Sequence, residues 1–114
     1  MRKIGLSIVA ASLAFVASAP AAEAMPPMEA MEFRNMYGLD PFELTFFAYQ
    51  GRLRSYDIPG YSTLVSRLSS NSLDAEDVIE AAIEGGDLSA AAINDSSYVG
   101  FVEDMLDNLV DQAQ

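Results

Sequence analysis

One helix-opening pattern, a leucine followed by a capping aspartate with an acid in the first turn, is written into this chain twice. Leu39-Asp40-Pro41-Phe42-Glu43-Leu44 supplies a capping aspartate, a proline at the first helical position and a glutamate three residues after the cap. Leu39 and Leu44 have the spacing of a hydrophobic staple. Leu73-Asp74-Ala75-Glu76-Asp77-Val78 repeats the pattern, with acids in the first turn where the helix dipole favours them. Leu88-Ser89-Ala90-Ala91-Ala92-Ile93 opens the same way, but "NDSS" follows after about one turn. No stretch shows the strict alternation of a strand. A chain punctuated like this is expected to be all-α.

The periodicity places four main helices. The first starts after Asp40, with Phe42, Phe46, Tyr49, Leu53 and Tyr56 as one stripe running past Gly51 to the Asp57-Ile58-Pro59-Gly60 turn. Gly51 is expected to mark a kink or the close approach of another helix. The second covers about 61–70, with Tyr61, Leu64, Val65 and Leu68 inward. The third follows Asp74, with Ala75, Ile79, Ala82 and Ile83 as a narrow apolar face, and stops at Gly85-Gly86. The last runs over about 97–110 after a cap at Asp95 or Ser96, burying Tyr98, Phe101, Val102, Met105, Leu106 and Leu109. Its C-terminal acids oppose the dipole, so its last turn is expected to fray. Short connections favour a small bundle, and the uneven spacing of the helix starts argues against a solenoid.

The first 24 residues stand apart. A cationic "MRK", the apolar run "IGLSIVAASLAFVA" and the small-x-small Ala22-Glu23-Ala24 follow the order of a secretory signal peptide. The run is shorter than the roughly 20 residues of a spanning helix. Ala17-Ser18-Ala19 is a second cleavage candidate, but Pro20 hinders it, so the cut is placed after Ala24. No cysteine follows, which excludes lipid attachment by that route. The expected organisation is a signal peptide at 1–24, a Met-rich, partly flexible lead-in at 25–38 and one helical domain at 39–112. The expected location is outside the cytoplasm, periplasmic or extracellular, without stable membrane insertion after cleavage. A chain this short buries only about 60% of its unfolded surface. With no cysteine available, apolar packing has to hold it.

Charge and composition exclude several functions. Setting aside Arg2, Lys3 and Glu23 of the leader leaves 4 arginines against 16 acids. From Leu68 onward there are 11 acids and no base. Such a surface repels nucleic acid and anionic lipid, and its natural partner is a basic protein surface or a cation. The plainer account is that the charge keeps a small domain soluble. Beyond Lys3 the chain has no lysine, histidine or cysteine, so serine nucleophiles lack a base and Cys/His zinc sites cannot form. There is no glycine-rich phosphate loop. A carboxylate pair needs a cleft for which a small bundle has little room. No enzyme activity and no cofactor are expected.

Three features invite a functional reading. Met25, Met28 and Met31 recur every three residues, with Met36 after them, and thioethers select Cu(I). Residues 28–36 can form a short helix with Met28, Met31 and Met36 partly on one side, and methionine more often fills gaps in packing. Asn94-Asp95-Ser96-Ser97 and Glu103-Asp104-Asp107 offer oxygens to calcium but lack the alternating ligand loop, so solvated acidic faces explain them better. The aromatic stripe reads as core. Around its Pro-Gly turn, Arg52, Arg54, Tyr56 and Tyr61 make a rim of the residue types enriched at binding hot spots.

"FFAYQGRLRSYDIPGY", "LDAEDVIEAAIEGGDLS" and "NDSSYVGFVEDMLDNLV" together resemble a group of small exported helical proteins of cyanobacterial type. The resemblance spans about residues 40–109 and rests on short motifs. It implies an all-α domain from a photosynthetic bacterium, and it implies no activity and no functional residue. The sequence therefore points to a non-catalytic exported helical module for protein interaction or structure. The alternative is a periplasmic Cu(I)-handling protein using the Met-rich segment.

Overall fold

The computed structural model describes residues 27–113, and every regular element among them is helical. The expected signal peptide and Met25 lie outside the described residues. The α-helices are α1 Pro27–Tyr37, α2 Pro41–Tyr49, α3 Tyr61–Ser69, α4 Ala75–Glu84 and α5 Ser96–Ala113, with 3₁₀ turns at Arg54–Tyr56 and Ala90–Asn94. There are thus five α-helices among the described residues where four main ones were expected. The addition is α1, within the segment read as a lead-in.

The local signals for helix starts hold. Asp40 accepts the Glu43 N–H at 2.7 Å, and Glu43 accepts the Asp40 N–H at 3.1 Å. Asp74 and Asp77 repeat this reciprocal box at 2.9 and 3.1 Å. Ser89 caps the second 3₁₀ turn through the Ala91 N–H. Asp95 opens α5 by accepting the N–H groups of Ser97 and Tyr98. Each carboxylate satisfies donors that the first turn of a helix leaves unpaired. At the other end, α5 continues to Ala113, past the expected stop near 110.

The long α5 packs against α2, α3 and α4, and α2 is its main neighbour. Tyr98, Val102 and Leu106 of α5 meet Leu44 and Ala48 of α2, Leu64 of α3, and Val78, Ile79 and Ala82 of α4 in one buried cluster. The alanines on α4 leave no long side chain to hold its neighbours away.

The stripe expected on the first helix is corrected. α2 ends at Tyr49, and Gly51 takes a φ of +82°, which only glycine adopts without strain. The chain then turns through the 3₁₀ segment instead of continuing to Pro59. The buried row of α2 is Pro41, Leu44, Thr45 and Ala48. Thr45 meets the cost of burial by donating its hydroxyl to the Pro41 carbonyl at 2.9 Å. Phe42 and Phe46 lie about a third of a turn away and are exposed. Leu53 is buried, as the stripe required, but from the loop after α2.

α1 is tied down by aromatic contacts. Phe33 is buried and meets Tyr98 edge-on at 5.3 Å between ring centroids, and Phe101 at 6.0 Å. Tyr37 meets Tyr98 at 5.4 Å and donates its hydroxyl to Asp95 Oδ2 at 2.7 Å. The hydrogen bond from Tyr37 holds the Asp95 carboxyl below its usual value, with the Tyr98 and Ser97 N–H groups adding to it. The same bond, then burial, raises the Tyr37 phenol. Burial raises Tyr98 further, and its hydroxyl donates to the Leu39 carbonyl at 2.7 Å. On the outer side of α1, Arg34 pairs with Glu43 at 3.1 Å and Asp40 at 3.4 Å.

Candidate interaction surface

With the inner row of α2 turned to α5, its next row faces outward. Phe42 is 56% exposed and Phe46 52%, one turn apart, with ring centroids 5.5 Å from each other. Tyr49 continues the row, half-buried, and Tyr61 at the start of α3 meets it edge-on at 5.2 Å. Tyr61 is itself 49% exposed. Four aromatic rings thus line one side of the α2–α3 corner.

A close backbone contact builds that corner. A Cβ placed on Gly60 would lie 2.7 Å from Gly51 Cα and 3.1 Å from the Tyr49 carbonyl oxygen, so the two glycines bring the start of α3 against the end of α2. Tyr61, immediately after, takes a φ of +54°. Left-handed backbone at a bulky residue is uncommon and is held only where the surroundings determine it. Here it sets the Tyr61 ring beside Tyr49.

The residues of the expected rim part company. Tyr61 joins the aromatic row. The guanidinium of Arg54 lies against Gly51, about 2.9 Å from where a Cβ would stand, and so borders the Tyr49–Tyr61 end of the row. Arg52 turns to the other flank of α2 and stacks over Phe47 at 5.3 Å. Tyr56 points away, against Gly85 beyond the end of α4. Neither Arg52 nor Arg54 pairs with the acids of α4 or α5, and Arg34 forms the ion pairs present among the described residues.

Tyr56 instead walls an open cleft of about 330 Å³ between the 3₁₀ turn, the end of α3 and α4. Arg67 stands on one side of it, and Asp57, Asp77, Glu80 and Glu84 supply carboxylates. Asp77 is already engaged in its capping box. The cleft offers carboxylate oxygens and a ring face, and Ser72 on its wall donates its hydroxyl to the Arg67 carbonyl at 3.1 Å.

The methionines are displayed rather than packed. Met28, Met31 and Met36 are all exposed, because the inner side of α1 belongs to Phe33 and Tyr37. Met28 and Met31 sit one turn apart on the outer side, whereas Met36 falls well around the helix from Met31. Among the described residues no group of three or more carboxylates is placed to hold a metal ion. No helix among them is long and apolar enough to cross a membrane.

Sequence reasoning placed Phe42 and Phe46 inside and so missed the aromatic face. The signal available was Gly51, which ends α2 and leaves Leu44 and Ala48 as its inner row. Comparisons with protein families, with curated proteins and with solved structures returned no match.

Proposed function

We propose that this chain is a non-catalytic exported helical module that binds another protein through the aromatic face of α2 and α3. The observation that carries the reading is the exposure of Phe42 and Phe46 on a helix whose inner row is fully occupied. Single exposed apolar residues are ordinary, but a contiguous aromatic row marks an interaction surface. Covering the exposed half of one such ring removes about 100 Å² from water and contributes about 2.5 kcal/mol. Three rings together offset much of the roughly 4–15 kcal/mol that association costs. Arg54 and Tyr61 at one end of the row are of the types that dominate binding energy.

The test is capture from a periplasmic fraction with the protein as bait, beside a Phe42→Ser/Phe46→Ser variant. The wild type is expected to retain a partner at low and moderate salt. The variant is expected to lose it while keeping its helical circular dichroism. An empty wild-type lane at both salts, or capture unchanged by the double substitution, would count decisively against the reading.

One observation favours a second reading. Met28 and Met31 stand exposed one turn apart, a spacing at which two thioethers can share a Cu(I) ion. A Cu(I) competition titration of the wild type against Met28→Leu/Met31→Leu decides it. No methionine-dependent binding tighter than millimolar ends this reading.

A further inference from the structure

We infer that the outer side of α1 is an oxidant-consuming surface, on which Met28, Met31 and Met36 each take one oxygen atom from a peroxide and become sulfoxides while the fold stays intact. The inference goes beyond the interaction role proposed above and uses residues outside the aromatic row.

The residue type on that side is what calls for a cause. A helix side turned to water ordinarily carries charged or polar residues. α1 places three methionines there within 11 residues, with Met28 77% exposed, Met31 58% and Met36 56%. They fill no gap in the core, because Phe33 and Tyr37 make the inner side. They do not converge either. Met31 and Met36 stand about 140° apart around the helix axis, so an ion shared by Met28 and Met31 leaves Met36 without a use. What the three have in common is access to solvent. A reaction that each sulfur performs alone needs only that.

Oxidation by a peroxide is such a reaction. With hydrogen peroxide, a lone pair on the thioether sulfur attacks one oxygen and the O–O bond breaks. The proton on the transferred oxygen passes to the departing hydroxide, which leaves as water. Sulfur loses two electrons and the peroxide gains them. The chain has no cysteine, so no thiol of its own competes for the oxidant.

Sulfoxidation turns an apolar side chain polar, which disrupts a core but suits a surface already in water. The contacts that seat α1 involve none of the three sulfurs. Phe33 lies on Tyr98 and Phe101, Tyr37 on Tyr98 and Asp95, and Arg34 on Glu43 and Asp40. Met105 is the contrast, half-buried on α5, the helix against which α2, α3 and α4 pack. Three outer sulfurs that react first shield the one whose oxidation would reach the bundle.

Hydrogen peroxide at one equivalent per full-length chain, left until consumed and followed by peptide mapping by mass spectrometry, tests this. Oxidation at each of Met28, Met31 and Met36 is expected to exceed that at Met105 severalfold. A second sample, stopped with excess peroxide removed once those three are oxidised, should keep its helical spectrum and melting temperature. Met28→Leu/Met31→Leu/Met36→Leu keeps side-chain volume and helix propensity. In that variant the same limiting dose should oxidise several times more Met105 than in the wild type. Equal oxidation of all four methionines overturns the inference, as does a melting temperature that falls when the outer three are oxidised. Met105 oxidation left unchanged by the triple substitution overturns it too. None of these results bears on the capture experiment, which reads Phe42 and Phe46.

Discussion

Gly60 and Gly100 stand in opposite surroundings, and alanine tells them apart. At Gly60 the φ of −105° is ordinary, so conformation is no obstacle. The obstacle is space, because the new methyl would meet backbone atoms of Gly51 and Tyr49 that cannot rotate away. Gly60→Ala is expected to cost about 1–3 kcal/mol, the range for overpacking. Gly100 sits inside α5 with nothing within 4 Å of an added Cβ. Gly100→Ala is expected to stabilise by about 0.5–1 kcal/mol through helix propensity. Urea melts of the two variants measure both, and a neutral Gly60→Ala would show that the α2–α3 corner is not built on that contact. The phenols give a second prediction at this scale. Asp95 is held below the ordinary carboxyl value, so its contribution is present above about pH 4 and is lost as pH falls through its lowered value. Tyr37 and Tyr98 are held above the ordinary phenol value. Their contribution is present below about pH 10 and is lost as pH rises through the raised values. No lysine, histidine or cysteine follows Lys3, so the alkaline limb belongs to phenols. Tyr37→Phe should lower the melting temperature at neutral pH, with the difference shrinking in acid. Tyr98→Phe should cost about 1 kcal/mol for the lost bond to Leu39, with the difference narrowing above pH 10.

The helix starts rank themselves by burial. Asp40 and Asp74 cap α2 and α4 with the same reciprocal geometry, yet Asp40 is buried and also accepts from Arg34, while Asp74 is exposed. Asp74→Ala is expected to cost about 1 kcal/mol, the ordinary value of a cap. Asp40→Ala should cost more, since it leaves the Glu43 N–H unpaired in a dry site and strips Arg34 of a partner. Thermal melts that rank the two equally would argue that Arg34 and burial add nothing at Asp40. Caps such as these were legible in the sequence because a cap is a local contract between residues three apart. The inner face of α2 was not legible. Phe42, Phe46 and Tyr49 make a helical row, and so do Pro41, Leu44, Thr45 and Ala48. Periodicity accepts both, and hydropathy favours the aromatic one. Packing against α5 chose the other row, because small residues at Thr45 and Ala48 let the long helix come close. That choice turned expected core into exposed surface, so the candidate site was hidden by the same ambiguity. α1 was obscured likewise: three methionines drew attention to its outer side, while Phe33 and Tyr37, spaced i and i+4, seat it on Tyr98.

At the scale of the molecule, the separation of charge makes the acidic half a source of strain that salt relieves. α5 ends with Asp107 and Asp111 and has no base in its last turn, where the dipole asks for cations. α4 begins with Glu76 and Asp77, where the dipole asks for acids. Asp111→Arg and Glu76→Arg change the net charge by the same amount, so they separate general repulsion from local fit. If repulsion across the acidic half were the whole matter, both would raise the melting temperature equally at low salt. The dipole adds to the gain at Asp111 and subtracts from it at Glu76. Asp111→Arg is therefore expected to stabilise more, and the gap between the two should close as salt shortens the screening length from about 8 Å at physiological strength. Equal gains at low salt would mean that the ends of α4 and α5 contribute no local field of consequence.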